Sequence, residues 1–373
     1  MAKTLSSVIL KDTKTALSNF SWQIENVSLL LNKYLDFLEF EDKNISKIND
    51  ISLVKTVSYL PLIKDDKVFS IAIRKTFEIN EKSKKYKISG KEYEKQFVIN
   101  LKNGIEKYRN ILKKRVYPQI NQYIENINNI QNFISDKYFS LKTSSRLIVG
   151  LGVDSVLETS IKLHHIYGVP YIPASAIKGI LRAYKIWELV DWDSFKYLVV
   201  ENLIENYQSD KFNQQKEKLI ENIQNGNFNK KFKEIDKDLS KEELEIKKQD
   251  LIDFVNSISQ GKIEKIVQIF GNQQQKGNLI ILDAYPTKFK GFDVDIMNVH
   301  YPDYYQNEKE PQPPADWQNP TPITFLAISE NTEFNFYFKN TSAYDGNLKD
   351  DLKEALENIG IGAKTSLGYG ILE

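Results

Sequence analysis

The most informative stretch of this 373-residue chain is Gly360-Ile361-Gly362-Ala363-Lys364-Thr365-Ser366-Leu367-Gly368-Tyr369-Gly370, in which glycines, a lysine and adjacent hydroxyls coincide. Glycine permits positive φ and close approach, so such a loop can present backbone N–H groups to phosphates. A Walker A loop has glycine directly before lysine, whereas Ala363 separates Gly362 from Lys364 here. The loop is also predicted to follow a helix and enter a strand, the reverse of a Walker A loop, so nucleotide hydrolysis is not expected.

The end of this stretch predicts a closing strand. On it, Ser366, Gly368 and Gly370 would share one face and leave room for something to pass close to the sheet. A tightly packed helix or a β-bulge would require the same small residues, and the spacing by itself favours such packing within the protein.

Upstream, the chain from residue 143 onward predicts alternating strands and helices. A helix begins near Ser175, a plausible N-cap, and buries Ile177, Ile180, Leu181 and Tyr184. This leaves Lys178, Arg182 and Lys185 on a common outward face, which is usually no more than a solvated helix face. The other predicted elements are strands at 146–149, 158–167 and 279–284, a hairpin of 323–328 and 333–338 with its turn at 329–332, and a helix at 348–358. This order can be folded as β-α-β-β-α-β, so the expected fold class is α+β with a decorated ferredoxin-like, RRM-type core.

Two other regions have helical periodicity. Residues 1–142 are predicted to be mostly helical, with apolar stripes at Val27, Leu31, Tyr34 and Leu38, at Phe97, Leu101, Ile105, Tyr108 and Leu112, and at Tyr123, Ile127, Ile130 and Ile134. Within this region, Phe69, Ile71 and Ile73 alternate with polar or small residues and suggest a strand. Residues 205–262 predict a helical insertion in a second domain that spans 143–373.

Composition limits the function without selecting it. Lysine and arginine (51) nearly balance aspartate and glutamate (50), so any nucleic-acid contact must come from local clusters of charge. The absence of cysteine excludes disulfides and thiolate chemistry and fits an intracellular protein. No apolar run approaches the ~20 residues that cross a bilayer, and a cytoplasmic location is expected.

Two motifs resemble the RAMP superfamily of CRISPR proteins. They are the helix start Pro173-Ala174-Ser175-Ala176-Ile177-Lys178-Gly179-Ile180-Leu181-Arg182 and the C-terminal glycine loop. The family usually has glycine where Ala174 stands, which makes Lys178 the better candidate for a phosphate contact. Within the superfamily, residues 155–168 and 295–305 resemble subunit six of the type III-B (Cmr) effector complex. The resemblance covers roughly residues 143–373.

The resemblance implies a non-catalytic, RNA-binding structural subunit that caps a row of RAMP subunits near the 3′ end of the guide RNA in antiviral defence. The implied partners are guide RNA, target RNA, and the other RAMP and small subunits, with no membrane, cofactor or metal. The residues expected at the RNA are Lys178, Arg182, Lys185, Gly360, Gly362, Lys364, Thr365, Ser366, Gly368 and Gly370.

An endoribonuclease, either metal-dependent or using general acid/base catalysis, is the alternative. Related RAMP backbone subunits cut target RNA with an aspartate in a loop after the first strand, and Asp154 stands in a loosely similar place, with His165 as a partner. An aspartate after Gly-Leu-Gly-Val is also what a turn prefers, and this interpretation is favoured. His164 and His165 would face opposite sides of an extended segment, which argues against a two-histidine metal site. Tyr301, Tyr304, Tyr305 and Trp317 would either stack bases or pin their loop to the core, and pinning is the commoner role.

Overall fold

A computed structural model describes residues 59–80, 84–88, 91–92, 95–152, 159–235, 237–299, 313 and 321–373. Several predictions concern residues outside these ranges: the apolar stripe from Val27 to Leu38, Asp154, and the aromatic residues Tyr301, Tyr304, Tyr305 and Trp317. Within the described part of the chain, no helix is long and apolar enough to cross a membrane.

The N-terminal part of the described chain is a small helix and sheet unit. Its elements are a 3-10 turn (Leu60–Leu62), α1 (Asp66–Thr76), β1 (Phe77–Asn80), β2 (Lys85–Ile88), β3 (Lys91–Glu92) and α2 (Lys95–Ile111). The three strands form one antiparallel sheet in the order β1-β2-β3. Leu60, Ile73, Ile88, Leu101 and Ile105 are among the residues of its separate apolar core.

The strand predicted around Phe69, Ile71 and Ile73 is wrong, because these residues lie in α1. Asp65 accepts hydrogen bonds from the backbone N–H groups of Lys67 and Val68, at 2.7 and 2.9 Å, and so caps the helix. Only Ile73 of the three predicted strand residues is fully buried. The apolar alternation was too short to distinguish a strand from a helix buried along one edge.

A second helical part joins this unit to the main sheet. A π-helical turn (Leu112–Val116) connects α2 to α3 (Tyr117–Ile134). The predicted buried stripe is confirmed at Leu101, Ile105 and Tyr108 of α2 and at Leu112, the first residue of the π-helical turn. On α3 the buried residues are instead Tyr117, Ile120, Ile124 and Asn128, whereas Tyr123, Ile130 and Ile134 are exposed and Ile127 is half-buried.

The face that α3 buries is fixed by the sheet beneath it. Asn128 donates a hydrogen bond to the carbonyl of Pro286 and accepts one from the hydroxyl of Tyr337. A buried asparagine needs such partners, so these two bonds determine which side of α3 points inward. The apolar period of α3 alone could not distinguish this side from the neighbouring one.

The remaining elements follow in chain order: β4 (Lys137–Lys142), α4 (Ala174–Leu189), α5 (Ser194–Glu205), α6 (Phe212–Gln224), α7 (Asn229–Ile235), α8 (Lys241–Ser257), α9 (Gln260–Phe270), β5 (Ile280–Ile281), β6 (Tyr285–Pro286), β7 (Asp293–Val299), β8 (Thr321–Ala327), β9 (Glu333–Lys339) and α10 (Leu348–Asn358). The predicted helix at 348–358 is confirmed, as is the helical character predicted for residues 205–262. The helices around the insertion extend on both sides of it, from Ser194 to Phe270.

The main sheet is antiparallel, with β9 at its centre. Strand β4 pairs with one edge of β9, and the short strands β5 and β6 pair with the other. Strand β4 precedes residue 143, where the second domain was predicted to begin, yet it belongs to this sheet. On the outer edge of β4, Lys142 and Glu373 exchange two backbone hydrogen bonds of 2.9 Å. The C-terminus therefore lies beside β4.

The predicted hairpin between 323–328 and 333–338 is wrong. Strand β8 pairs with β7, and β9 belongs to the main sheet. Thr143 lies against the turn between β8 and β9. Its backbone N–H donates to the carbonyl of Thr332, its carbonyl accepts from the N–H of Asn331, and its hydroxyl donates to the carbonyl of Ser329. The strand predicted at 146–149 is reduced to a single bridge, between Leu147 and Ile328.

Helix α4 has the buried stripe that its sequence predicted. Ile177, Ile180, Leu181 and Tyr184 are all buried. The N-cap residue is Pro173 rather than Ser175, and the first backbone N–H, that of Ala174, donates to the carboxylate of Asp283 at 2.7 Å. A carboxylate at a helix N-terminus complements its partial positive charge, so a residue more than a hundred positions away supplies the cap.

Candidate nucleic-acid interface

The glycine loop is a compact turn and not the predicted closing strand. Five of its residues have positive φ: Gly360 (74°), Gly362 (96°), Lys364 (63°), Gly368 (86°) and Gly370 (74°). Residues Thr365–Leu367 form a single 3-10 turn. A strand needs strongly negative φ throughout, so a segment with positive φ at every second or fourth residue cannot extend.

Two of these glycines are required by close contact with the chain's own backbone. A Cβ atom on Gly362 would lie 2.2 Å from the carbonyl oxygen of Ile148, and one on Gly370 would lie 1.9 Å from that of Ile361. Backbone hydrogen bonds of 2.8 Å from Ala363 to Ile148 and from Gly370 to Arg146 fix the loop against the 146–149 segment. Gly370 and Gly360 are buried, so they shape the loop and do not form its outer surface.

Gly368 differs from its neighbours. A Cβ atom at this position would meet nothing within 4 Å, so the predicted close approach at Gly368 is wrong. Its φ of 86° is the reason for glycine, because that backbone conformation is strained in residues with a side chain.

The outer surface of the loop consists of its 3-10 turn and flanking residues. Ser366, Leu367 and Gly368 are exposed, as is Gly362. The N–H groups of Leu367 and Gly368 bond back to Lys364 and Thr365. Among the described residues, none accepts a hydrogen bond from the backbone N–H of Lys364, Thr365 or Ser366. The turn therefore holds three consecutive donors without a protein acceptor in the described structure.

Lys364 lies beside these donors. Its ammonium group is 5.3 Å from the ring centroid of Phe325, a buried residue of β8, at a distance suited to a cation–π contact. In the described part of the chain it forms no ion pair with a carboxylate. The charge of Lys364 is thus held near the loop surface and is not neutralised there.

A partly buried ionic cluster fastens the loop to β7. Asp295 accepts hydrogen bonds of 2.5 Å from the guanidinium of Arg146 and from the hydroxyl of Tyr369. Burial would raise the pKa of Asp295, but these two donors, the backbone N–H of Ile296 and the charge of Arg146 outweigh it and lower the pKa. Burial also raises the pKa of Tyr369, and Asp295 raises it further, so this phenol stays a donor. No spacing in the sequence predicts this cluster, although Asp295 and Tyr369 both lie in stretches that resemble the family.

The common solvated face predicted for Lys178, Arg182 and Lys185 is wrong. Arg182 forms a bidentate pair with Glu201 of α5, at 2.7 and 2.9 Å. Lys185 lies 2.7 Å from Asp351 of α10, and its side chain is only 16% exposed. Both cations join helices together, since Glu201 and Asp351 belong to other elements, although Lys185 also pairs with Glu188 of α4 at 2.8 Å.

Lys178 has a different environment. It is half-buried, and burial together with the nearby charge of Lys276 lowers its pKa. Neither lysine has a carboxylate partner among the residues that the structure describes. Lys276 is exposed on the tight turn from Gly271 to Gly277, and no sequence signal connected it with Lys178. Two like charges close together favour an anion between them, because it removes their repulsion.

The segment 158–167, predicted to be extended, instead turns sharply at its end. His164 and Val169 are joined by a backbone hydrogen bond of 2.7 Å, and the N–H of Gly168 returns to the carbonyl of His164. As a result the rings of His164 and His165 stack, with centroids 5.3 Å apart, instead of facing opposite sides. No group of three His, Cys, Asp or Glu residues able to hold a metal ion occurs in the described ranges.

Comparison with known proteins gives one family. A model described as the RAMP superfamily matches residues 140–373. The protein described as CRISPR system Cmr subunit Cmr6, from Pyrococcus furiosus, is 34% identical over 276 residues, which are 70% of this chain and 74% of that protein. The crystal structure of Cmr6 from Pyrococcus furiosus is 31% identical and covers 63% of this chain and 95% of its own, with a TM-score of 0.36. A chain in the cryo-EM structure of the type III-B Cmr-beta bound to cognate target RNA is 20% identical, with coverages of 73% and 74% and a TM-score of 0.36.

Proposed function

The chain belongs to the RAMP superfamily and, within it, to the Cmr6 family, and from this premise we propose that it is a non-catalytic, RNA-binding structural subunit of a type III-B CRISPR effector complex. In this proposal it caps a row of RAMP subunits near the 3′ end of the guide RNA. Its partners are guide RNA, target RNA, and the other RAMP and small subunits. The relative from Pyrococcus furiosus is described as a Cmr subunit of a CRISPR system, which supports the proposal that this chain is a subunit of such a complex.

The proposal includes a ferredoxin-like core that runs from β4 to the C-terminus, with the helices around 205–262 as an insertion. Its support is the strand order. The C-terminal segment, β4, β9 and the β5–β6 edge lie side by side in that order, with α4 and α10 as the two connecting helices. This matches the β-α-β-β-α-β arrangement, in which the β7–β8 pair is an addition between the second and third strands.

The single observation that carries the RNA-binding proposal is the outer turn of the glycine loop. Three backbone donors, of Lys364, Thr365 and Ser366, have no acceptor in the described structure, and a lysine without an ion-pair partner there lies beside them. A phosphate oxygen satisfies such donors and is attracted by the lysine charge. The side chains of Thr365 and Ser366 supply two hydroxyls as further donors.

A second phosphate contact is proposed at Lys178 and Lys276. Their mutual repulsion is relieved by an anion, and Lys276 is exposed. Arg182 and Lys185 remain predictions as RNA contacts. Arg182 would share its charge between a phosphate and Glu201, and Lys185 between a phosphate and the carboxylates of Glu188 and Asp351. Because backbone amides and cations recognise phosphate and not bases, binding is expected to be independent of RNA sequence.

Titration of the purified full-length chain with labelled single-stranded RNAs of unrelated sequence tests this proposal. Similar affinities that fall steeply with salt are expected, whereas sequence-selective and salt-insensitive binding would contradict it. Incubation of the same RNAs with and without Mg²⁺ tests the non-catalytic part. Cleavage that disappears in Asp154→Ala would establish the endoribonuclease alternative instead.

A further inference from the structure

A cavity of about 350 Å³ lies where the N-terminal unit meets the main domain. One wall is the chain around Lys64 and Val68, and the other consists of Arg146, the start of β7 and the turn between β8 and β9. The volume is at the lower end of the range for small-molecule sites, ~300 to 1,000 Å³. The cavity therefore has room for a single small ring system.

Both walls of the cavity are fixed by hydrogen bonds. Ile63 forms a parallel bridge with Phe292, and the backbone N–H of Lys64 donates to the carbonyl of Phe292 at 2.9 Å. On the other wall, the N–H of Asn331 donates to the carbonyl of Thr143 at 2.7 Å. A site whose walls are already ordered loses little conformational entropy when it is filled.

Three side-chain groups of the lining have no hydrogen-bond partner in the described structure. Nε of Arg146 is buried and unbonded, and the carboxylate of Asp293 lies 3.6 Å from it, beyond hydrogen-bond reach. Lys64 is half-buried, and its ammonium group forms no ion pair with a described residue. Glu330 is exposed, and its carboxylate also lacks a partner among these residues. Two donor groups and one carboxylate are thus available to a ligand.

The charges of the lining limit what the cavity can accept. Its two other carboxylates are occupied, because Asp293 accepts from the hydroxyl of Ser329 at 2.9 Å and Asp65 accepts from two backbone N–H groups of α1. Three carboxylates repel a phosphate, and the cations Lys64 and Arg146 repel a cationic ligand. A neutral group that has acceptors and donors side by side suits this lining.

Guanine is the nucleobase with this pattern. Its O6 and N7 accept hydrogen bonds, most often from arginine or lysine, and its N1–H and 2-amino groups donate side by side. Two adjacent donors match the two oxygens of one carboxylate, whereas adenine and cytosine have a single amino group on their edges. Val68, an apolar side chain that is 50% exposed, and Val294 supply apolar surface for the faces of a ring.

The cavity also adjoins the glycine loop through Arg146. The carbonyl of Arg146 accepts a hydrogen bond of 2.8 Å from the N–H of Gly370. Its guanidinium shares the carboxylate of Asp295 with Tyr369. A single strand whose phosphates contact the outer turn of the loop can therefore place a nearby base in the cavity.

We propose that this cavity binds one unpaired guanine of single-stranded RNA, with Lys64 and Arg146 donating to its O6 and N7 and Glu330 accepting from its N1–H and 2-amino groups. This inference rests on the proposed RNA-binding function. It adds one base contact to the phosphate contacts of the loop. Any guanine of a strand can fill the cavity, so unrelated strands that contain guanine still bind with similar affinities.

The test uses the full-length chain, an oligouridine, and oligouridines of the same length that carry one guanine, adenine or cytosine. The guanine strand should bind about 5- to 150-fold more tightly than plain oligouridine, the range expected for one bidentate base contact. A strand with inosine, which lacks the 2-amino group, should lose much of this gain because one bond to Glu330 is removed. Equal affinity for all strands, or a preference for adenine or cytosine, would overturn the proposal.

Variants of the lining locate the preference. Glu330→Ala should bind the guanine and inosine strands equally, while its affinity for plain oligouridine should stay the same or rise, because a repulsive carboxylate is removed. Lys64→Ala should also reduce the preference for guanine. Glu217→Ala and Lys218→Ala, the same changes at exposed positions of α6, are the controls, and thermal melts check that all variants fold. A guanine preference that persists unchanged in both lining variants would place guanine recognition elsewhere and contradict the assignment.

The cavity and the loop can fail independently. If Lys364→Asn lowers affinity and salt dependence while strands with and without guanine bind alike, the cavity proposal is wrong and the loop proposal stands. If a guanine preference is present and is lost in Glu330→Ala while Lys364→Asn has no effect, the loop proposal is wrong and the cavity proposal stands. Absence of any RNA binding by the unmodified chain overturns both.

Discussion

Lys364 combines a strained backbone with a charge that lacks an ion-pair partner in the described structure. Its φ of 63° costs a non-glycine residue about 1 to 2 kcal/mol. Strain of this kind persists where the surroundings fix the conformation, and here Gly362 and Gly368 on either side also have positive φ. Asparagine tolerates this region better than lysine does, which allows the charge to be removed without disturbing the backbone.

We therefore expect Lys364→Asn to weaken RNA binding while leaving the melting temperature unchanged or slightly raised. The proposed loss is one phosphate contact, so affinity should fall and backbone strain should not rise. Fluorescence titration and a thermal melt on one sample measure both quantities. Lys218→Asn, the same substitution at an exposed lysine of α6, is the control and should leave affinity unchanged. Reduced stability with normal affinity would assign Lys364 a structural role instead.

The loop glycines differ in the reason for which they are required, and stability measurements should show it. Gly368→Ala introduces only backbone strain, about 1 to 2 kcal/mol, because its Cβ would meet open space. Gly370→Ala adds a clash with the carbonyl of Ile361 to the same strain and should lower the melting temperature considerably more. Chemical denaturation of both variants measures the difference in free energy of unfolding. Equal effects would contradict the geometry described for Gly370.

At the scale of elements, helix α4 carries two cations that lie in different electrostatic environments. Arg182 links α4 to α5 through Glu201, which also accepts a hydrogen bond of 3.0 Å from Tyr197. Lys178, one turn earlier, has Lys276 as its charged neighbour. Two cations one turn apart on α4 thus differ in their charged neighbours: Arg182 has a carboxylate, whereas Lys178 has another cation.

Arg182→Ala should reduce stability, and Lys178→Ala should reduce RNA affinity. The first substitution leaves Glu201 without its bidentate partner, at a cost of about 1 to 3 kcal/mol in the free energy of unfolding. The second removes a like-charge repulsion along with a proposed phosphate contact, so the fold should be unaffected or slightly more stable. Denaturation curves and RNA titration on both variants are the measurement. A stability loss in Lys178→Ala without an affinity loss would show that this lysine is a packing residue.

The turn containing His164 should respond to pH on the acid side of neutrality. Because the pKa of His164 is lowered in the fold, its contribution to stability is fully present above the unfolded value of 6.5 and is lost as pH falls through the folded value. His165 strengthens this effect, whereas Asp283 opposes it. His164→Asn keeps an acceptor near the Nδ1 position but does not titrate. The difference in melting temperature between the two proteins should therefore change between pH 7.5 and 5, and a constant difference would exclude His164 as the cause.

At the scale of the whole molecule, the N-terminal unit is locked onto the main domain. The buried guanidinium of Arg109 donates to the carbonyls of Ile63 and Lys64 and to the carboxylate of Asp66. The same backbone forms a parallel bridge to Phe292, the residue just before β7, through hydrogen bonds from Lys64 to Phe292 and from Phe292 to Leu62. The same short segment is thus held by α2 on one side and by the main domain on the other.

The near-zero net charge of the chain makes its salt response informative. With a formal charge of +1, no general field attracts RNA, so the salt dependence should report the number of local phosphate contacts. Each contact to a single strand contributes ~0.7 to the slope of log affinity against log salt concentration. The slope for Lys364→Asn should be smaller than that of the unmodified chain by about this amount. An unchanged slope would mean that Lys364 does not contact phosphate.

The sequence by itself determined the family, the α+β class and the helices with strong apolar periods, such as α2, α4 and α10, because these depend on local pattern and on motifs of fixed spacing. It also identified the glycine loop as the principal feature, since glycine is needed wherever φ is positive. Tertiary structure alone decided the conformation of that loop, because the backbone of Ile148 and the side chains of Arg146 and Asp295, to which Tyr369 of the loop is bonded, come from other parts of the chain. It likewise decided which cations are neutralised and which side of α3 is buried, because carboxylate partners and buried amide partners distant in sequence have no local signature.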